Sequence, residues 1–188
     1  MDALDAHEAA AADIESKAAR LEADKLASPT PCEGWTVRDL LHHVVAGNIM
    51  TTKLLGGASK ADASAAFGDD VLGDDPAGAL RRTNAEAAAA FRAADLSVVV
   101  DHPAMQMPGS QLLNFRAGDL ILHSWDLARA IGVDETLAEG PVAHVWEALQ
   151  PMAPIIGQIG QFGTGPSGDV GEDAPLQQRL LDLTGRRP

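Results

Sequence analysis

Thr36-Val37-Arg38-Asp39-Leu40-Leu41-His42-His43-Val44-Val45-Ala46-Gly47-Asn48-Ile49-Met50-Thr51-Thr52-Lys53-Leu54-Leu55 is the stretch whose reading decides the fold. Thr36 followed three residues later by Asp39 has the form of a helix capping box, and Trp35 just ahead of it can staple onto Leu40. Leu40, His43, Gly47, Met50 and Leu54 then recur at helical spacing and make an apolar or small-residue stripe. Gly56-Gly57 stops the helix.

Upstream, residues 2–27 place Leu4, His7, Ala11, Ile14, Ala18 and Leu21 on one face, which predicts an amphipathic helix broken by Ser28-Pro29-Thr30-Pro31. Downstream, the Gly- and Asp-rich residues 57–74 read as a loop. Asp75-Pro76 opens a third helix as N-cap and first-turn proline, running to about Ala94. Ser97-Val98-Val99-Val100 and Met105-Gln106-Met107 have the composition of a short β-hairpin within 97–108. A fourth helix is expected from Ser110 to Ile131, ending at Gly132, and a fifth from Val142 to Ala153. A surface loop is expected over 163–175, and a last helix from Leu176 to Leu183, stopped by Gly185. Four long helices with short links and helical additions at the C-terminus point to an all-α bundle, one domain over 1–188.

The formal charge of −13 repels phosphate backbones, and no Lys/Arg cluster offsets it, so nucleic-acid binding is not expected. No apolar run reaches the roughly 20 residues of a membrane helix, and the acidic, Ala-rich start is unlike a signal peptide. The single cysteine, Cys32, cannot form an internal disulfide. A cytoplasmic location follows as the expectation.

Asp119 and His123 stand four residues apart in a mostly apolar helical segment, so both side chains leave one face about one turn apart. Burying an unpaired carboxylate and imidazole is costly unless something compensates, and a metal ion is one such compensation. His43 lies on the apolar stripe of its own helix. Two imidazoles and one carboxylate suit zinc, with nickel, iron(II) or manganese as further choices, and leave a position for water or substrate. Taken singly, Asp119 and His123 also fit an ordinary helix ion pair, and His43 a hydrogen-bonded core histidine. Asp126, three residues past His123, is a candidate to orient that imidazole. His7 reads as a core or terminal histidine that could approach the site, His42 as a solvent-facing one, and His102 and His144 have no ligand-like partner. Cys32 reads as a structural thiol, and Trp35, Trp125 and Trp146 as packing anchors.

The segment from Thr30-Pro31-Cys32-Glu33-Gly34-Trp35 through His43 resembles the TPCxGWxVxDLxxH signature of the DinB-like superfamily that contains the N-terminal domain of mycothiol-dependent maleylpyruvate isomerase. Asp119 through Gly132 is similar to that family's (E/D)xxxHxxDLAxAxG segment, and Leu176 to Arg186 to the terminal segment of an actinobacterial subgroup described as metal-binding proteins. The resemblance implies an up-down-down-up four-helix bundle and a zinc-type site formed by His43, Asp119 and His123. It also implies a low-molecular-weight thiol, mycothiol or similar, held as thiolate at the open metal position, with transferase or isomerase chemistry on an electrophilic substrate. The sequence departs from the isomerase at Asp119, where that enzyme has the longer glutamate, and maleylpyruvate isomerisation itself is not expected. The partners expected are a small-molecule thiol and an electrophile, with a homodimer as a possible assembly. Two other readings stay open: a non-catalytic metal-binding or stress-response protein, and a helical dimerisation module.

Overall fold

The computed structural model describes residues 1–158, 162 and 164–188. Four long helices carry the fold: α1 (Ala3–Ala18), α2 (Val37–Leu55), α4 (Pro76–Ala93) and α5 (Gly109–Ile131). Short α3 (Lys60–Ser64) follows α2, the hairpin β1 (Val99–Asp101) and β2 (Gln106–Pro108) precedes α5, and α6 (Glu139–Leu149) and α7 (Leu176–Leu183) complete the chain.

The starts of these helices are set locally. At α2 the Thr36 hydroxyl accepts from the Asp39 N–H (3.3 Å) while Asp39 accepts from the Thr36 N–H (2.9 Å), a reciprocal capping box. Asp75 caps α4 by accepting from the Gly78 N–H, with Pro76 in the first turn. Gly132 closes α5 at φ 73, a left-handed conformation that an L side chain rarely adopts.

Helix direction follows from side-chain pairs. Glu15 reaches Asn84 and Glu8 reaches Arg92, so α1 and α4 are antiparallel. Asp13 meets Ser124 near one end of α1 while α2 crosses α5 with His43 beside Asp119 and Val44 and Asn48 beside Arg116. The order is up-down-down-up, with α1 packed on α5 and α2 on α4.

The apolar interior has two parts. One gathers Ile14, Leu40, Leu41, Val44, Leu80, Leu120, Ile121 and Trp125 with Leu180 and Leu181 of α7. The other gathers Met50, Leu54, Phe91, Val100, Met107, Leu112 and Leu113. Between them lies a buried polar layer containing His7, Asn48, Thr83, Asn84 and Arg116, one or more from each long helix.

Several boundaries differ from expectation. The first helix ends at Ala18 rather than 27: Arg20 and Leu21 donate to carbonyls three residues back, and a 3₁₀ turn over Ala23–Ala27 leads the chain toward α2. The expected loop 57–74 contains α3, capped by Ser59, which accepts from the Asp62 N–H. Buried Ala63, Ala66 and Leu72 hold this segment to the bundle. α6 starts three residues early, with Pro141 tolerated in its first turn, and stops at Leu149 because Pro151 has no N–H to continue it. The hairpin forms with Val99 opposite Pro108 and Asp101 opposite Gln106. The expected loop 163–175 begins at Gly163, outside the described residues. Among the described residues no helix is long and apolar enough to cross a membrane.

Candidate metal centre

α5 carries Asp119 and His123 on successive turns, and the antiparallel crossing of α2 sets His43 opposite them. One Asp119 oxygen, Oδ1, lies 3.2 Å from His43 Nε2 and 3.5 Å from His123 Nε2. The three donor atoms all fall within 4.8 Å of one another. Two imidazole nitrogens and a carboxylate oxygen, fixed on rigid helices and converging on one point, form a donor set that fits a divalent transition metal or zinc.

The second ring nitrogen of His123 and the second oxygen of Asp119 are engaged. His123 Nδ1–H donates to Asp126 Oδ2 (2.9 Å), which leaves Nε2 to face the cluster. Asp119 Oδ2 accepts from Arg116 Nη1 (2.8 Å). Arg116 Nη2 also donates to the Asn48 side chain (2.8 Å) and the Val44 carbonyl (3.3 Å), Asn48 donates to Asn84 (2.7 Å), and Asn84 to Glu15 (2.8 Å). Gly47 makes room for this guanidinium, since a Cβ there would lie 2.5 Å from Arg116 Nη1.

Burial and charge oppose each other here. Burial raises the Asp119 carboxyl, but Arg116, His123 and His43 more than reverse it, and its pKa lies well below the usual carboxylate range. For His123, burial disfavours the imidazolium, yet Asp119, with hydrogen bonds to Asp119, Asp126 and Cys32, raises its pKa well above the ordinary value. Asp126 is pushed down to about 2: its burial is outweighed by the His123 hydrogen bond and the Arg186 charge.

The loop before α2 forms one wall. Pro29 and Thr36 make an isolated antiparallel bridge, the Thr30 hydroxyl bonds the Trp35 carbonyl (3.0 Å), and Gly34 turns the chain at φ 78. This places Trp35 with its ring centroid 4.9 Å from that of His43 and 5.9 Å from that of His123. Phe67, after α3, lies 5.9 Å from His43. The same loop sets Cys32 Sγ 3.4 Å from Asp126 Oδ2 and 3.9 Å from His123 Nδ1. Cys32, His123 and Asp126 could by proximity hold an ion of their own. However, Arg186 donates to both Asp126 oxygens (3.0 and 2.7 Å), so that carboxylate is already neutralised by a guanidinium.

The other candidates stand elsewhere. His7 is buried against Phe91, outside the triad, and neither ring nitrogen has a hydrogen-bond partner among the described residues. His42 is half-buried rather than solvent-facing and pairs with the Asp69 carbonyl (2.8 Å), the loop having folded over it. His102 Nδ1 accepts from the Ala104 N–H, and His144 pairs with Asn114. Trp35 is more than a packing anchor, because it flanks both site imidazoles. Arg116, Asn48 and Arg186 were not singled out from sequence. Arg116 did carry a signal, a cation three residues before Asp119 on an otherwise apolar face.

Residues 7–128 match the family described as the mycothiol maleylpyruvate isomerase N-terminal domain. Two proteins of Mycobacterium tuberculosis, uncharacterized protein MT0763 of strain CDC 1551 / Oshkosh and uncharacterized protein Rv0738 of strain ATCC 25618 / H37Rv, are each 35% identical over 136 residues, which is 70% of this chain and 69% of theirs. In three dimensions the chain is similar to a mutant form of the mycothiol-dependent maleylpyruvate isomerase, with a TM-score of 0.65 at 16% identity over 90% of this chain and 72% of the other. A second crystal structure of that isomerase gives 0.59, also at 16% identity, over 80% and 68%. On the extent of the family match and the shared bundle, the chain belongs to the mycothiol maleylpyruvate isomerase N-terminal domain family.

Proposed function

We propose that this protein is a metal-dependent enzyme that joins or rearranges an electrophilic small molecule with a low-molecular-weight thiol such as mycothiol, using a divalent ion held by His43, Asp119 and His123. The observation that carries the reading is the convergence of His43 Nε2, Asp119 Oδ1 and His123 Nε2 on one point. Zinc suits these donors best. When bound, such a cation lowers the pKa of a coordinating thiol and supplies a nucleophile near neutral pH.

The chain's own residues do the rest. Arg116 holds the second Asp119 oxygen, so this carboxylate offers one oxygen to a cation rather than two. Asp126 fixes the ring orientation of His123. Trp35 and Phe67 supply apolar walls beside the imidazoles, which restrict water and suit an uncharged part of a substrate. The likeness to a mycothiol-dependent maleylpyruvate isomerase favours a thiol as the co-substrate.

The test is metal content by elemental mass spectrometry on untagged protein, for wild type, His43→Ala and His123→Ala. About one zinc or similar ion per chain is expected in wild type, lost in both folded variants, followed by thiol consumption with an electrophile that depends on the metal. Metal retained in both variants, or none bound after reconstitution, overturns the site.

A further inference from the structure

The described residues hold one arrangement that the family match does not reach. The match ends at residue 128, yet the carboxylate that orients His123 is gripped by a residue 60 positions farther along the chain, Arg186. Asp126 is wholly buried, and four donors surround its two oxygens. Oδ2 accepts from His123 Nδ1 (2.9 Å), Arg186 Nη2 (2.7 Å) and, more weakly, Cys32 Sγ (3.4 Å), while Oδ1 accepts from Arg186 Nε (3.0 Å). Two parallel N–H···O bonds of this kind fix the plane of a carboxylate as well as its position.

Arg186 is itself held in place. Leu180, Leu181 and Leu183 bury α7 against the bundle. Gly185, at φ 79, then reverses the chain, and the Arg186 N–H returns to the Leu181 carbonyl (2.9 Å). Arg186 Nη1 donates to the Thr184 carbonyl (3.2 Å), and Arg129 of α5 donates to the Arg187 carbonyl (2.6 Å). The tail is thus tied to the end of α7 before the guanidinium and to α5 just after it.

We infer that Arg186 is a positioning residue of the metal centre: the C-terminal tail, by clamping Asp126, sets the orientation of His123 and with it the affinity and geometry of the bound ion. This rests on the metal reading above. A guanidinium whose only role was to neutralise a buried carboxylate would change stability alone. One that orients a ligand's hydrogen-bond partner changes how the ion is held, with effects of about 10–100-fold on affinity typical of such partners.

The experiment compares wild type, Arg186→Gln, Arg186→Lys and, as a tail control, Arg187→Ala, each checked for folding by circular dichroism. Zinc affinity is measured by competition with a chromophoric chelator, and ligand geometry by the visible absorption of the cobalt(II)-substituted protein. Arg186→Gln, which acts through Asp126, should weaken zinc binding by about tenfold, the low end of the range for a ligand's direct partner, and alter the cobalt bands. Arg186→Lys, which keeps the charge but not the fork, should recover part of the loss, and Arg187→Ala should bind as wild type. Should Arg186→Gln not fold, Arg186→Lys alone must still show weakened binding and altered bands. Folded Arg186 variants with wild-type affinity and spectrum overturn the clamp while leaving the metal centre standing, whereas wild type that binds no metal overturns both.

Discussion

His7 is wholly buried on α1, edge-on to Phe91, with no hydrogen bond to either ring nitrogen among the described residues. Burial, followed by the charges of Arg116 and Arg92, pushes its pKa from 6.5 down to about 4. Because the folded value is the lower one, the unfolded chain takes up the proton first. Stability from this residue is therefore complete above pH 6.5 and declines as pH falls toward 4. At ~1.4 kcal/mol per tenfold change in proton affinity, the loss is at most ~3.5 kcal/mol. Urea midpoints for wild type and His7→Leu across that range should diverge, with the variant flatter and no less stable at pH 7, since it removes an unpaired buried polar group. Parallel profiles would exclude the assignment. At this scale the sequence makes placement legible where residue type and spacing act together, as in Asp119 beside His123 on one helix face. It was opaque for Asn48 and Arg186, whose partners are 68 and 60 residues distant and leave no local pattern.

Among the elements, α2 brings His43 to the candidate site, and its first turn is fixed by a local cap. The capping box satisfies two backbone donors that would otherwise be exposed to competition from water. Thr36→Ala should lower stability by about 1 kcal/mol, read as a reduced melting temperature in thermal unfolding followed by circular dichroism. An unchanged midpoint would mean that tertiary packing alone sets this helix end. The starts of α2 and α4 and the close of α5 were legible because each is written in a cap, a proline or a glycine within four residues of the boundary. α3 was missed although Ser59 and Asp62 carry the same cap pattern, since small residues in a Gly/Asp-rich setting hid the burial of Ala63 and Ala66. The first helix ends short of the length its pattern suggests because apolar spacing persists through Leu21, while the direction in which the chain must leave is a tertiary requirement.

For the whole molecule, periodicity announced four long helices but not which of them are neighbours; the resemblance to a known family implied that order, and side-chain pairs such as Glu15 with Asn84 display it. The polar layer through His7, Asn48, Asn84 and Arg116 has an effect on how the native state breathes. Apolar contact is the main source of folding cooperativity, and here it is interrupted partway along the bundle. Native-state hydrogen exchange should accordingly resolve two opening units, amides near Leu40 and Leu120 in one and amides near Met50 and Leu112 in the other. Added zinc should slow exchange mainly in the first. A single opening free energy for both sets would show that the layer transmits cooperativity instead of dividing it. With division, the end that carries Met50, Phe91 and the hairpin is free to drift in sequence and loosen without disturbing the His43, Asp119 and His123 cluster, so one half of the fold holds the candidate site and the other is open to variation.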